Sequence, residues 1–392
     1  MILDLQVIIV MLRNVSNKSL STNKSMKKKQ SFLENLKPTI SEISKYIPGK
    51  SDESKEIIKL SSNESPFILS KNIIAKIVKQ LINANRYPDG DCKILKKSIA
   101  KRFKLNEKNI ICGNGSDDIL SLISIAFSRE NCEIICSENG FLYYPIVAKA
   151  SGAKVVFAKM ENFEINLNNI RKKITKNTRI IFFANPNNPT GSILLKEQLL
   201  EFLEKVSDNI IVVIDGAYSE YINNRQFSDG TDLIRKFPNV IVTRTFSKIF
   251  ALAGFRLGWG YASKNVIEIM EKIRGPFNVN LVAQISAAKI LEDNKFFDKS
   301  VQHNNKWRNK MSDSLNKMGL IVYPSHANFL FIKTEFQKIT AKKICKELKN
   351  FKIYIRDLDS YGLKNHFRVS IGKEKENKFF LKKIQDIINK NN

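Results

Sequence analysis

The chain has 392 residues, 43% of them hydrophobic, which is ample for a large buried core and for more than one lobe. Its 16 glycines and 10 prolines exclude a collagen-like or linker-dominated chain. Lys and Arg total 65 against 38 Asp and Glu, a formal net charge of +27, but the basic residues are dispersed. A nucleic-acid or membrane binder would gather this charge on one face, so we expect neither partner, and only a general attraction for anionic small molecules.

Residues 1–30 are predicted to form a disordered N-terminal extension. The apolar run at residues 7–12 is too short to span a bilayer, and Asp4 precedes it where a signal peptide carries positive charge. Residues 13–30 are rich in Ser, Asn and Lys, a composition that cannot form a core. Met26 opens a basic stretch and is an alternative start of the chain.

From residue 56 onward, short apolar strands alternate with helical stretches such as 117–127. Nearly continuous β-branched and aromatic runs predict strands that are buried on both faces. With helices between them, they predict an α/β domain with a mostly parallel or mixed sheet. The predicted strands lie at 110–112, 133–136, 154–157, 179–184, 210–214 and 240–243.

After about residue 275 the pattern changes to that of a smaller α+β domain. One long helical stretch is predicted from about Val279 to Met318. We expect the segment 31–55 to pack near this domain. The remaining predicted elements are strands at 320–323, 329–332 and 367–371 and helices at about 338–350 and 375–390.

Polar residues follow four of the predicted strands, at 113–117, 185–191, 215–218 and 245–248. Ligands of open α/β sheets bind outside the carboxyl ends of the strands. Four polar strand ends that converge on one crevice indicate a site more strongly than any single motif.

Lys248 follows the last of these strands. A lysine in that position is usually a solvated surface residue. Here the apolar neighbours Phe246, Ile249 and Phe250 predict a partly buried side chain. Burial lowers the pKa of a lysine, and its neutral amine can then attack an aldehyde.

Asp215, Asn188 and Tyr218 also have two interpretations each. Asp215 could be a helix cap, or a carboxylate that pairs with a pyridinium nitrogen and makes the ring an electron sink. Asn188 lies in Asn-Pro-Asn-Asn-Pro-Thr-Gly, which could be only a turn. Both Asn188 and Tyr218 could instead donate hydrogen bonds to the phenolate oxygen of such a ring.

The segment Gly115, Ser116 and Asp117 opens a predicted helix and is a candidate phosphate cradle, because backbone N–H groups and the helix dipole favour an anion there. Arg256 could add a charge-assisted bond to the same phosphate. The hydroxyls of Thr245 and Ser247 could also donate.

The cysteines and histidines predict no metal site. The chain has no C-x-x-C pair, and its three histidines are widely separated. An odd, scattered set of five cysteines suits a reducing cytoplasm better than a disulfide framework.

Three motifs, by order and spacing, resemble the signature of class I/II aminotransferases of pyridoxal-phosphate (PLP) fold type I. They are Asn188-Pro189-Thr190-Gly191, Asp215-x-x-Tyr218, and Ser247-Lys248 with Arg256. Further motifs resemble the histidinol-phosphate aminotransferase subfamily, and the resemblance covers roughly residues 31–390. These motifs occupy 62–66, 86–90, 113–117, 140–145, 274–280 and 367–372.

The resemblance implies PLP as cofactor, held as a Schiff base on Lys248, which then serves as acid and base for the proton shift. Asp215 would pair with the pyridine nitrogen, and Asn188 and Tyr218 with the ring hydroxyl. Phe141 would stack on the ring. The implied phosphate-binding residues are Gly115, Ser116, Asp117, Thr245, Ser247 and Arg256.

The resemblance also implies the substrate residues. Arg368 would bind the carboxylate of glutamate or 2-oxoglutarate, and Arg356 the phosphate or other distal anion of the substrate. Asn63 and Asn328 would line the site. Tyr87 would reach the phosphate in the neighbouring subunit, so we expect a homodimer with shared active sites.

The expected reaction is ping-pong transamination between histidinol phosphate and 2-oxoglutarate, in histidine biosynthesis. Alternatives on the same scaffold are an aromatic or other amino-acid aminotransferase, an amino-sugar or secondary-metabolite enzyme, and a PLP decarboxylase of threonine phosphate. The non-enzymatic alternative is a basic nucleic-acid-binding protein.

The expected fold is α/β, a PLP-transferase of fold type I. We expect the disordered extension at 1–30 and an N-terminal arm with part of the small domain at 31–62. The large PLP-binding domain is expected at 63–285 and the small C-terminal domain at 286–392.

Overall fold

The computed structural model describes residues 37–46, 57–336 and 339–391. The chain divides into two compact units, Met1–Ile43 and Ser44–Asn392. In the first, helix α1 (Pro38–Ser41) is a single turn in which Ser41 Oγ donates to Pro38 O over 2.6 Å. The predicted disordered extension 1–30 lies outside the described residues, as does most of the segment 31–55.

The second unit contains the remaining elements. Its helices are α2 (Lys71–Gln80), α3 (Lys93–Phe103), α4 (Ser116–Phe127), α5 (Tyr143–Ala150), α6 (Leu167–Lys172), α7 (Lys196–Leu203), α8 (Lys264–Ile273), α9 (Leu281–Ile290), α10 (Asn294–Lys317), α11 (Ala341–Asn350) and α12 (Glu374–Asn391). Its strands are β1 (Ile58–Lys59), β2 (Ile110–Gly113), β3 (Glu133–Ser137), β4 (Lys154–Ala158), β5 (Thr178–Ala184), β6 (Ile211–Asp215), β7 (Val240–Thr245), β8 (Gly258–Tyr261), β9 (Ile321–Val322), β10 (Phe329–Lys333), β11 (Ile353–Tyr354), β12 (Arg356–Asp357) and β13 (His366–Ser370).

The main sheet has seven strands in the order β2-β8-β7-β6-β5-β3-β4. Strands β3 to β7 run parallel, and β8 pairs antiparallel with both β2 and β7. The predicted mostly parallel sheet is therefore confirmed. The parallel strands place their carboxyl ends at one edge, where a ligand site is expected.

Strand β8 was not predicted, because its sequence Gly-Trp-Gly-Tyr lacks the apolar run of the other strands. The glycines are required by close packing. A Cβ at Gly258 would lie 2.2 Å from the backbone nitrogen of Ser116, the first residue of α4. The absent side chain lets the N-terminus of α4 lie directly against the sheet.

Alternate residues of β5 enter two separate cores. Ile180 and Phe182 pack with residues of α4, α5 and α8, whereas Ile181 and Phe183 pack with residues of α6 and α7. Burial on both faces explains why the sequence of this strand is almost continuously apolar and does not alternate between apolar and polar residues. It also holds the loop that follows β5 rigidly at the sheet edge.

The C-terminal elements form smaller sheets. One has the antiparallel order β12-β13-β10-β9, and β1 pairs in parallel with β11. The prediction of one long helix at 279–318 is wrong, because the structure has two helices there, α9 and α10. Asp293 breaks it, because its side chain accepts from Phe296 N over 3.0 Å and caps a new helix.

Within the described residues, no helix is both long and apolar enough to cross a membrane. The same residues contain no group of three or more His, Cys, Asp or Glu side chains that could hold a metal. The five cysteines are free and buried.

A buried ion-pair cluster fixes the backbone near the sheet edge. Arg244, on β7, pairs with Glu220 over 2.8 Å and with Asp229. Its guanidinium also lies over the rings of Phe103 and Trp259, at 5.1 and 5.6 Å. This one side chain therefore ties β7 and β8 to the segment that follows β6.

Arg244→Met should lower the free energy of unfolding by about 3–5 kcal/mol, because it leaves the buried carboxylate of Glu220 without its partner. The measurement is urea unfolding followed by circular dichroism. Lys205→Met is the matched control, because its 2.6 Å ion pair with Glu201 lies at the surface. Equal unfolding midpoints for the two variants would contradict the role of the cluster.

Candidate active site

A cavity of about 360 Å³ opens at the carboxyl edge of the main sheet. The loops that follow β2, β5, β6 and β7 all reach it, and β12 and β13 supply another wall. The predicted site residues that line it are Asn63, Ser116, Asp117, Phe141, Asn188, Asp215, Tyr218, Thr245, Ser247, Lys248, Arg256, Arg356 and Arg368.

Lys248 lies in the turn after β7, held by the buried side chains of Phe246, Ile249 and Phe250. Its Nζ donates to the carbonyl oxygen of Ser62 over 3.3 Å. Burial, assisted by the positive charge of Arg368, lowers the pKa of Lys248 to about 8. Near neutral pH, the neutral amine is therefore a larger fraction of Lys248 than of an exposed lysine.

Asp215 is the last residue of β6 and is buried at the cavity. Its Oδ2 accepts a hydrogen bond from Tyr144 Oη over 2.8 Å, whereas its Oδ1 has no hydrogen-bond partner among the described residues. Burial raises the pKa of Asp215 to about 6, opposed by the bond from Tyr144. The carboxylate therefore remains mostly ionised at neutral pH and keeps an unused acceptor.

The N-terminus of α4 forms a cradle of backbone N–H groups at the cavity. Gly115 precedes it with φ +92°, a left-handed conformation that favours glycine. Arg256 Nη2 donates to Asp117 Oδ2 over 3.2 Å and therefore lies at the mouth of the same cradle. Helix dipole, N–H groups and guanidinium together make this end of the cavity electropositive.

Two arginines lie together on the wall formed by the small sheet. Arg356 on β12 and Arg368 on β13 are direct cross-strand partners, and both are buried. Arg368 donates from Nη2 to Ser61 O over 2.8 Å and from Nη1 to Asn188 Oδ1. Its Nε is buried and has no hydrogen-bond partner among the described residues.

Three predicted residues do not line the cavity. Gly115 directly precedes the cradle, and a Cβ there would meet Arg256 Nη2 at 2.9 Å. Asn328 supports the lining from outside by donating to Asn63 O over 3.0 Å. Tyr87 is 81% exposed and stacks on Phe277, with ring centroids 4.5 Å apart.

Sequence reasoning assigned no role to several other residues of the cavity wall. Tyr144 holds Asp215 and stacks on Phe182 at 5.4 Å. Tyr361 is buried close to the two arginines, and Tyr46 also lines the cavity. The 140–145 motif could have drawn attention to Tyr144. Its partner could not be predicted, because Asp215 lies 71 positions away in the sequence.

Comparison with known proteins agrees with this geometry. A family model, aminotransferase class I and II, matches residues 55–384. The histidinol-phosphate aminotransferase of Pelagibacter ubique (strain HTCC1062) is 42% identical over 350 residues, which are 88% of this chain and 97% of the relative.

Solved structures show the same fold. Histidinol-phosphate aminotransferase from Sinorhizobium meliloti, in complex with pyridoxal-5′-phosphate, has a TM-score of 0.82 at 21% identity, covering 91% of this chain and 98% of that one. The enzyme of the same name from Clostridium acetobutylicum has a TM-score of 0.79 at 28% identity, covering 85% and 100%. The predicted PLP fold type I is confirmed, and the chain belongs to the aminotransferase class I and II family.

Proposed function

We propose that the chain catalyses the reaction of histidinol-phosphate aminotransferases. The amino group of histidinol phosphate passes to 2-oxoglutarate, which yields imidazole acetol phosphate and glutamate in histidine biosynthesis. The observation that carries the proposal is a partly buried lysine of lowered pKa in one cavity with two buried, adjacent arginines. The 42% identical relative bears the same enzyme name.

Pyridoxal 5′-phosphate is the cofactor, and the cavity residues fit it. The unused Oδ1 of Asp215 would accept from a protonated ring nitrogen. The N–H groups of Ser116 and Asp117, the guanidinium of Arg256 and the hydroxyls of Thr245 and Ser247 would hold the phosphate. When bound, the cofactor supplies an aldehyde that condenses with amines and a ring that withdraws electrons from the reacting carbon.

Lys248 Nζ is the amine that would hold the cofactor and then move the proton. A pKa of about 8 leaves this amine able both to accept and to return a proton near neutral pH. The ring of Tyr218 lies 5.7 Å from Nζ, and the bond to Ser62 O restrains Nζ further. These contacts keep the amine inside the cavity.

Asn188 is oriented as a donor by Arg368. A guanidinium can only donate, so the Asn188 atom that faces Arg368 Nη1 is Oδ1. The Nδ2 group of Asn188 is then available to the cavity, where it would donate to the ring oxygen of the cofactor. Tyr218 would donate to the same oxygen.

The arginine pair supports an anionic substrate. The two side chains stand directly opposite each other on antiparallel strands and both line the cavity, so their positive charges add on this wall and attract an anion. The unpartnered Nε of Arg368 adds a donor for such an anion. A phosphate with its three acceptor oxygens matches two guanidinium groups, and the carboxylates of glutamate and 2-oxoglutarate would use the same donors.

We further propose a homodimer with shared active sites, located in the cytoplasm. Tyr87 and Phe277, 81% and 44% exposed, form a stacked aromatic pair at the surface. Apolar side chains of the same region are also exposed, at Ile68, Ile74, Val78, Leu81, Ile82 and Ile94. Many large apolar side chains exposed within one short stretch of the chain favour a protein interface there. Burial by a second copy would bring Tyr87 to the neighbouring cavity.

Histidinol phosphate should react with the loaded protein faster than other amines. Adding histidinol phosphate to the PLP-loaded protein should remove the visible absorbance band of the cofactor faster than adding phenylalanine or glutamate, because only histidinol phosphate fills the arginine pair with phosphate. Stopped-flow absorbance measures the rates. Lys248→Ala should fold, by circular dichroism, and show no turnover. Conversion by phenylalanine but not by histidinol phosphate would reject the proposed substrate, and turnover by Lys248→Ala would reject the mechanism.

Arg356 should matter for the phosphate of the substrate and not for the rest of it. Arg356→Ala should raise the KM for histidinol phosphate by roughly 10- to 100-fold, the loss expected for a charge-assisted hydrogen bond. The KM for phenylalanine should change little. Arg225→Ala, at an exposed loop position, is the matched control. Equal increases for both substrates would show that Arg356 does not bind the phosphate.

Two inactive variants should complement each other if the sites are shared between subunits. Tyr87→Ala and Lys248→Ala homodimers should each be nearly inactive, whereas co-refolding them in equal amounts should restore about one quarter of wild-type activity. Half of the products are heterodimers, and each has one site with an intact lysine and an intact Tyr87 from the other chain. A mixture that stays inactive although heterodimers form, as mass spectrometry can verify, would place Tyr87 in its own subunit's site or outside both.

A further inference from the structure

Ser370 is a buried residue at the end of β13 that does not line the cavity. Its hydroxyl makes two hydrogen bonds to one residue that lies 307 positions away. Ser370 Oγ accepts from the backbone N–H of Asn63 over 2.8 Å and donates to Asn63 Oδ1 over 3.0 Å. The hydroxyl therefore forms hydrogen bonds with both the backbone and the side chain of Asn63.

The direction of these bonds follows from what each group can do. A backbone N–H only donates, so the oxygen of Ser370 accepts there, and its single proton goes to Asn63 Oδ1. The other end of the amide is then Nδ2, which donates to Tyr218 Oη over 2.9 Å. Ser370 thus sets which end of the Asn63 amide faces Tyr218.

Asn63 has little freedom to depart from this arrangement. It is 1% exposed, and its φ of 54° lies in the left-handed region. Asn328 Nδ2 donates to its carbonyl oxygen over 3.0 Å. With the backbone held, rotation of the amide is the change that remains, and the Ser370 hydroxyl opposes it.

The consequence reaches the cavity through Tyr218. The Nδ2 group of Asn63 cannot accept a proton, so the phenolic proton of Tyr218 cannot be donated to Asn63. Tyr218 lines the cavity, where its proton is then available. If the amide turned over, Oδ1 would face Tyr218 and would accept that proton instead.

We infer that Ser370 is a positioning residue that acts through Asn63 to keep Tyr218 a hydrogen-bond donor toward the ring oxygen of the cofactor. This inference rests on the proposed function, because it takes the ring oxygen as the acceptor. Ser370 itself does not line the cavity.

The test uses PLP-loaded protein and two readouts, the visible absorbance of the bound cofactor and the split between kcat and KM. Ser370→Ala should shift the absorbance maximum in the same direction as Tyr218→Phe. It should also lower kcat roughly 10-fold, the loss of about one strong hydrogen bond, with little change in KM. Ser370→Thr keeps the hydroxyl and should restore both values.

Two comparisons separate positioning from a general packing effect. Ser286→Ala is the matched control, because Ser286 is also buried and its hydroxyl donates within its own helix, to Val282 O at 2.6 Å. It should move neither readout. In the Tyr218→Phe background, Ser370→Ala should cause no further change in absorbance or kcat, because both substitutions act on the same hydroxyl.

The outcomes are distinguishable. If Tyr218→Phe leaves the absorbance unchanged, the proposed role of Tyr218 fails, and the inference falls with it. If Tyr218→Phe shifts the band but Ser370→Ala does not, or if the two effects add, only the Ser370 inference is overturned. Should Ser370→Ala not fold, Asn63→Asp presents an acceptor to Tyr218 and must shift the band as Tyr218→Phe does. An unshifted band in that variant would equally overturn the inference.

Discussion

The guanidinium of Arg368 is the interaction on which the arrangement of the site depends. It joins three distant parts of the chain, because β13 carries it, Ser61 O accepts from its Nη2 over 2.8 Å and Asn188 Oδ1 accepts from its Nη1. The same charge helps to lower the pKa of Lys248. One side chain therefore orients the Asn188 amide, adds to the effect of burial in lowering the pKa of Lys248, and places positive charge on the cavity wall.

Three polar groups in the cavity, two of them buried and one partly buried, would each cost free energy without a partner. They are the carboxylate of Asp215, the amine of Lys248 and the guanidinium of Arg368, which all line one cavity. Asp215 Oδ1 lacks a donor, Arg368 Nε lacks an acceptor, and Lys248 is held at a pKa of about 8. In the proposed function, a pyridinium ring would donate to Asp215, an aldehyde would react with the amine of Lys248, and an anionic substrate would accept from Arg368.

Support for these groups comes from residues that never reach the cavity. Arg244 ties β7 to the segment after β6, and Asn328 holds the carbonyl of Asn63. Gly258 allows the N-terminus of α4 to lie against β8. Loss of such support displaces a reactive group without removing it, and small displacements are enough to slow a reaction that depends on orientation.

The α/β pattern, the strand ends that carry Asn188, Asp215 and Lys248, and the family resemblance can all be predicted from the sequence alone. These features are local, since continuous apolar runs report burial and turn residues report where a strand stops. Three other features become visible only in the folded chain: β8 lies between β2 and β7, Tyr144 donates to Asp215, and Ser370 contacts Asn63 across 307 positions of sequence. Such contacts depend on how whole elements pack, and no short-range pattern of residue types records which distant side chains will meet.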